Sequence, residues 1–357
     1  MQRRTMLFGA ALNALAKEPN RQKAEEAAAV IARSVDKGET AAATLDVRRA
    51  DFRLTRSFGL AKSMDAVFLL ASVTKPMTAT GLMILVDRGQ VSLDAPVRKY
   101  LPEFSGGGKD RVTVKHILTH TSGLPDQLPQ NVELRKRHAG LKDFYAAVCR
   151  TPLLFEPGSK VSYQSMGLLV AQEIAERITQ RPFRDFLRDE LFLPLGMTAT
   201  SLGLGGRAIA ATMPAQVASA PALYGSSDND WNWNSPYWRD LGAPWGGGHS
   251  TAGDLERLLE SFLEPTGRVM KKSTARRMIN VQTGALEPAW GLGWSLGKGN
   301  FGVMCSPRTF GHYGVTGTIA WADPATGLRC VLLTTKTVDD WHGGLLGPVS
   351  NLVSEVV

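Results

Sequence analysis

Strand-like sequence stands at both ends of this chain, with a long run of helical periodicity between. Ala42 to Arg49 and Phe52 to Phe58 are short runs joined by a polar turn, the pattern of an antiparallel hairpin. From about Trp290 the pattern returns in Gly291 to Leu296, Arg308 to His312, Gly317 to Ala322 and Leu328 to Thr334. Between these blocks, Pro76 to Arg88 carries apolar residues at Met77, Leu82, Ile84, Leu85 and Val86 and stops at Gly89, as a helix does. Helical patterns follow at Thr113 to Thr119, Leu141 to Arg150, Met166 to Arg181, Pro182 to Phe192, Ala252 to Leu263 and Lys271 to Ile279. Strands from the two chain ends most simply share one sheet, with the middle of the chain packed against it. The expected class is therefore α+β, an antiparallel sheet from about 38–60 and 288–357, with a helical region over about 61–287. Residues 18–37 read as a surface helix and Trp341 to Val357 as a closing one.

A chain of 357 residues can bury one large core or two modest ones, and one composite domain over 17–357 is the simplest reading. No apolar run approaches the ~20 residues that a membrane-spanning helix needs. The net charge of +8 suits a basic surface. Lys and Arg are scattered, however, and the densest cluster is only Arg135-Lys136-Arg137, so a nucleic-acid partner is not expected and this cluster reads as solvated. Three cysteines do not make a disulfide framework; the one pair in strand-like surroundings is Cys305 and Cys330. The start of the chain, with Arg3-Arg4, a short apolar stretch and Ala14-Leu15-Ala16, resembles a twin-arginine export signal over 1–16, which implies a periplasmic protein. The competing reading, the first turns of an N-terminal helix, leaves the protein cytoplasmic.

The chemistry centres on Ser72-Val73-Thr74-Lys75. Two other S-x-x-K tetrads, Ser34 to Lys37 and Ser295 to Lys298, show that the pattern alone is weak. Ser72 differs because it opens a helix, where a three-residue spacing puts Ser72 and Lys75 on one face and Pro76 is tolerated in the first turn. A helix N-terminus also offers N–H groups and partial positive charge to a developing oxyanion. A serine hydroxyl needs a neighbour to take its proton, and a desolvated lysine can do so. Tyr163-Gln164-Ser165, just ahead of the helix at Met166, supplies a phenol that can share that proton. Gly311-His312-Tyr313-Gly314, between two strands, offers a polar side chain and a glycine that permits close approach.

Taken in order, Ser72-x-x-Lys75, Tyr163-x-Ser165 and His312-x-Gly314 resemble the three signature elements of class C β-lactamases, D-alanyl-D-alanine carboxypeptidases and family VIII carboxylesterases. Leu118 to Leu124, Pro194 to Met197, Ser250 to Asp254 and Trp290 to Trp294 resemble further family segments, so the likeness runs over roughly 40–335. It implies the β-lactamase/transpeptidase-like fold, no cofactor and no metal, and a small ester or peptide as substrate. It also implies an acyl-enzyme on Ser72, proton transfer through Lys75 and Tyr163, and an oxyanion hole from the Ser72 and Val315 N–H groups. Two departures stand out. Ser165 replaces the usual substrate-contacting Asn, and His312 stands where class C β-lactamases carry the Lys of Lys-Thr-Gly. These favour an esterase or D-amino-acid amidase or peptidase over an efficient β-lactamase, with a non-turnover binding domain of the same fold as the rival from another class.

Several look-alikes are set aside. Gly248-His249-Ser250-Thr251-Ala252, with late Asp323 and His342, imitates a hydrolase nucleophile elbow but lacks the apolar strand before it, and Ser250 or Thr251 reads better as a helix cap. Ser227-Asp228-Asn229 imitates another motif inside an irregular loop. His116 and His120 have metal-compatible spacing without a carboxylate to join them. Residues 201–250, rich in Gly, Ser, Asn and Trp, fit neither period; either they form a lid or binding loop, or their aromatics only pin the loop down.

Overall fold

Burial on both faces of the central strands explains the architecture. In the computed structural model, which describes residues 18–217, 229–297, 299–338 and 344–357, six antiparallel strands form one sheet in the order β2-β1-β9-β8-β7-β6. In chain order the elements are α1 (Arg21–Asp36), β1 (Ala42–Arg49), β2 (Phe52–Gly59), β3 (Phe68–Leu69), α2 (Thr74–Asp87), α3 (Val114–Leu118), α4 (Asn131–Lys136), α5 (Leu141–Arg150), α6 (Met166–Thr179) and α7 (Phe183–Leu187). They continue with β4 (Ser201–Leu202), α8 (Pro236–Leu241), β5 (Gly248–Ser250), α9 (Ala252–Leu263), α10 (Lys272–Met278), β6 (Ser295–Leu296), β7 (Phe310–Gly314), β8 (Thr318–Asp323), β9 (Leu328–Thr334) and α11 (Leu346–Ser354). The first hairpin joins the C-terminal strands through β1 and β9, with Leu45 opposite Leu332 and Val47 opposite Cys330.

Successive side chains of a strand point to opposite faces. One face therefore gives Leu45, Val47, Ile319, Trp321, Cys330 and Leu332 to a core closed by α1 and α11. The other gives Phe310, Ala320, Ala322, Val331 and Leu333 to a larger core shared with the helical region. Between α9 and that second face lies an ion cluster: buried Glu256 meets Arg48 and Arg329, each at 2.8 Å, and Arg48 forks onto buried Asp46.

Helix α2 is buried nearly all round, as a helix apolar on every face must be. Its threonines bind neighbouring backbone. Thr78 Oγ1 donates to the Pro244 carbonyl, and Thr74 Oγ1 accepts from the Gly248 N–H. A three-stranded sheet, β3-β5-β4, lies beside its N-terminus and was not legible as strands.

Some expected boundaries move. The helix expected from Pro182 to Phe192 is α only to Leu187 and finishes as a π turn over Arg188–Phe192. Of Gly291 to Leu296, only the last two residues pair. The strand expected over Arg308 to His312 instead occupies β7, and the closing helix is α11, with 341–343 outside the described residues. Arg3, Arg4 and the alanines of the export-like segment also lie outside them, as do Lys298, Ser227, Asp228 and His342. Cys305 and Cys330 are both buried free thiols, so the pairing considered for them is not formed.

Candidate active site

Three separated segments converge on Ser72. Ala71–Val73 is a 3₁₀ turn that runs directly into α2, and Ala71 is left-handed at φ 45°. A non-glycine residue there is strained, and surrounding structure must hold it. Leu70 donates its N–H to Gly248 O, Thr316 Oγ1 donates to Leu69 O, and Thr318 Oγ1 donates to Leu70 O. The motif serine is thus held in place by the start of β5, the turn between β7 and β8, and the start of β8. Sequence reasoning missed Thr316 and Thr318 because their spacing to Ser72 is purely tertiary.

Lys75 lies one turn on, with 1% of its surface exposed, and its Nζ donates to Ser72 Oγ at 2.9 Å and to Trp245 O at 3.0 Å. Burial lowers its pKa to about 8, against the opposing pull of the Asp126 carboxylate. At pH 7 roughly a tenth of such lysines are neutral amines. The neutral amine can keep Trp245 O as acceptor and turn its lone pair to the serine O–H.

Tyr163 covers the other side of Lys75, with its ring centre 4.7 Å from Nζ and 39% of its surface exposed. His120 and Trp290 pack round the same ring, at 4.8 and 6.0 Å between centres. His120, left-handed at φ 58°, accepts the Gln164 N–H on Nδ1. Burial, then Lys75 and His312, push its pKa well below 6.5, so it is a neutral support for the Tyr163 segment. His116 is engaged differently: Nδ1 accepts from the Thr113 N–H in a capping box at the start of α3. No group of three or more metal-ligating side chains occurs among the described residues.

His312 comes in on β7, buried, with Nδ1 2.7 Å from the Tyr313 carbonyl. The carbonyl can only accept, so Nδ1 carries the proton. Burial and the Lys75 cation lower the pKa of His312 to about 3. The ring is neutral, and its Nε2 is a buried acceptor without a hydrogen-bond partner among the described residues. Gly314 ends the strand where a Cβ would collide with Leu70 O and stand 3.1 Å from the Ser72 nitrogen. That close approach brings the following residue, Val315, to the cavity wall. Ser165 lies beyond Tyr163, and its hydroxyl donates to Asp126 Oδ1 at 2.6 Å.

Ser72, Asp126, Tyr163, Ser165, Trp290, His312 and Val315 border one cavity of about 340 Å³. Its far wall comes from the irregular segment: Trp233, Trp238 and Trp245 are both buried and cavity-lining, so the aromatics pin the loop and shape the cavity at once. The basic cluster read as solvated proves otherwise at Arg135. That side chain is 1% exposed, stacked 3.7 Å from the Trp238 ring centre, and tied through Nε to Asn131 Oδ1. The look-alikes separate cleanly. Thr251 caps α9 by accepting the Asp254 N–H, Ser250 is hydrogen-bonded to Thr200, and the Asp323 carboxylate accepts from Ser306.

The family model described as Beta-lactamase matches residues 26–347. The chain is 27% identical over 363 residues to esterase EstB of Burkholderia gladioli, covering 87% of this chain and 86% of that protein. Among solved structures, D-amino acid amidase from Ochrobactrum anthropi SV3 superposes with a TM-score of 0.77 at 24% identity, over 94% of this chain and 98% of the other. A penicillin-binding protein homologue from Caulobacter crescentus superposes at 0.72 with 22% identity, over 95% and 97%. These structures share the α+β fold described above.

Proposed function

The chain belongs to the Beta-lactamase family, and from that premise we propose that it is a serine hydrolase working through an acyl-enzyme on Ser72, with small esters or D-amino-acid amides and peptides as substrates. The observation that carries this reading is the contact between Lys75 Nζ and Ser72 Oγ at 2.9 Å, made by a buried lysine whose pKa is lowered to about 8. A serine next to a fully charged surface lysine would not be activated; one next to a desolvated amine is.

In the proposed cycle Ser72 Oγ attacks the substrate carbonyl as its proton passes to neutral Lys75. The oxyanion is held by the N–H groups of Ser72 and Val315, each donor contributing about 3 kcal/mol to the transition state. Tyr163, against Lys75, carries the proton on to the leaving group, and water then releases the acyl group with the same pair as base. The small-ester and amidase reading draws on relatives named as an esterase and a D-amino acid amidase. His312 adds a physical reason: a neutral imidazole cannot form the ion pair that a lysine at this place would make with an anionic substrate group.

Turnover of a short-chain p-nitrophenyl ester and of a chromogenic cephalosporin, by wild type and Ser72→Ala, tests the proposal. Ester turnover that vanishes in Ser72→Ala, with little cephalosporin cleavage, is the expected result. Rapid cephalosporin turnover would move the protein to the β-lactamase branch, and activity surviving in Ser72→Ala would remove the mechanism.

A further inference from the structure

A second cavity, of about 330 Å³, opens between α7, the π turn that follows it and β4. It shares no lining residue with the cavity at Ser72 and is nearly the same size. The guanidinium groups of Arg184, Arg188 and Arg207 stand on its wall with one carboxylate, Asp185. Two of these arginines are already matched. Arg188 holds Asp189 through Nε at 2.7 Å and Asp185 through Nη1 at 3.0 Å. Arg184 lies 3.6 Å from the Asp240 carboxylate and donates to the Asp240 carbonyl.

Arg207 is different. Its Nη1 donates to Ser201 Oγ at 2.7 Å and to Leu204 O at 3.2 Å, both neutral acceptors, and no carboxylate pairs with it among the described residues. Ser201 Oγ in turn donates to Gly203 O, so one corner of the guanidinium is pinned beside β4. The N–H groups on Nε and Nη2 have no hydrogen-bond partner among the described residues and are not shut off from water. The floor next to this cation is apolar. Phe192, Met197 and Leu202 are buried and line it, and Leu193 beside them is 53% exposed.

The Nε and Nη2 donors of a guanidinium lie side by side and match the two oxygens of a carboxylate. Apolar surface beside such a pair gains from being covered by hydrocarbon, which a bare inorganic anion does not supply. We infer that this cavity binds a carboxylate carrying a hydrocarbon chain, with the anion on Arg207 and the chain over Phe192, Met197 and Leu193. Acids of this class are what hydrolysis of aliphatic esters releases. The site does not rest on that activity, because it shares no wall with the cavity at Ser72.

The test compares hexanoate with hexan-1-ol, which lacks the charge, and with acetate, which lacks the chain. Affinities are measured by calorimetry on wild type, Arg207→Gln and Arg207→Lys, with thermal unfolding to show that each variant is folded. Wild type is expected to bind hexanoate at least tenfold tighter than either comparator. Arg207→Gln loses the margin over hexan-1-ol, and Arg207→Lys keeps part of it. Equal affinity for hexanoate and hexan-1-ol, or for hexanoate and acetate, overturns the proposal. Hexanoate affinity unchanged in Arg207→Gln places the ligand elsewhere and overturns it as well. Crystals of wild type soaked with 6-bromohexanoate decide the matter without a variant: anomalous scattering must place bromine beside Phe192 and Met197, and its absence from this cavity overturns the site.

Discussion

At the residue scale, Lys75 carries a conflict between stability and chemistry. Burial lowers its pKa to about 8, so the unfolded chain binds more protons than the folded one between about pH 8 and 10.5. Stability attributable to this residue therefore rises with pH across that window, and at pH 7 the folded state bears most of the penalty. Lys75→Met is expected to raise the unfolding free energy at pH 7 by up to about 3 kcal/mol, measured by denaturant titration, while abolishing turnover. Unchanged or lower stability would mean that the contacts to Ser72 and Trp245 outweigh desolvation. In wild type, kcat/KM should rise with pH to a midpoint near 8 as the amine loses its proton; a profile flat from pH 6 to 9 would remove Lys75 as the base. Tyr163→Phe is expected to lower kcat about 10²- to 10⁴-fold with a thermal midpoint near that of wild type, because the change keeps the ring of a side chain that is 39% exposed.

At the element scale, α9 is the clearest case of a helix read correctly and understood only in the fold. Its limits, Ala252–Leu263, follow from apolar spacing and a capping Thr251, both visible in the sequence. Its buried Glu256 has no local signature, because Arg48 and Arg329 reach it from directly paired positions on β1 and β9. Burial raises the pKa of Glu256 while the two arginines oppose the shift. Removing one partner leaves buried charge without compensation, so Glu256→Ala is expected to cost about 3–5 kcal/mol, whereas Thr251→Ala costs about 1. Urea titration of the two variants separates these values; similar losses would show the cluster to be a minor support. The strands β3 to β5 carry no periodic signature for a related reason, being two or three residues long and defined only by pairing.

At the scale of the whole molecule, the site lies where the sheet meets the helical region, and the segment from 229 to 246 completes it. Buried Arg239 holds that segment: Nη1 donates to Thr212 Oγ1, Nη2 to Met213 O and Asn234 Oδ1, and Nε to Trp233 O. Burial lowers its pKa to about 10, which leaves the guanidinium charged at neutral pH. Arg239→Met leaves carbonyls of the Trp233 and Met213 peptides without that donor, at a cost of about 2–5 kcal/mol. The same change should loosen the tryptophan wall and raise KM for esters by tenfold or more, in steady-state kinetics. A stable variant with unchanged KM would show that the wall does not depend on this anchor.

The order of strands, helices and strands, and the three motifs that meet at Ser72, are written in the chain, because periodicity and residue type are local properties that survive without neighbours. The rest depends on the folded chain. It moved Arg135 from an apparent surface cluster onto Trp238, placed Asp126 against Ser165, and used Thr316 and Thr318 to hold the strained turn at Ala71. Each of these joins residues far apart in the chain or lacking a periodic signature. The electrostatics follow the same division: that Lys75 stands one turn after Ser72 is written locally, but its lowered pKa exists only because the folded protein removes water from around it.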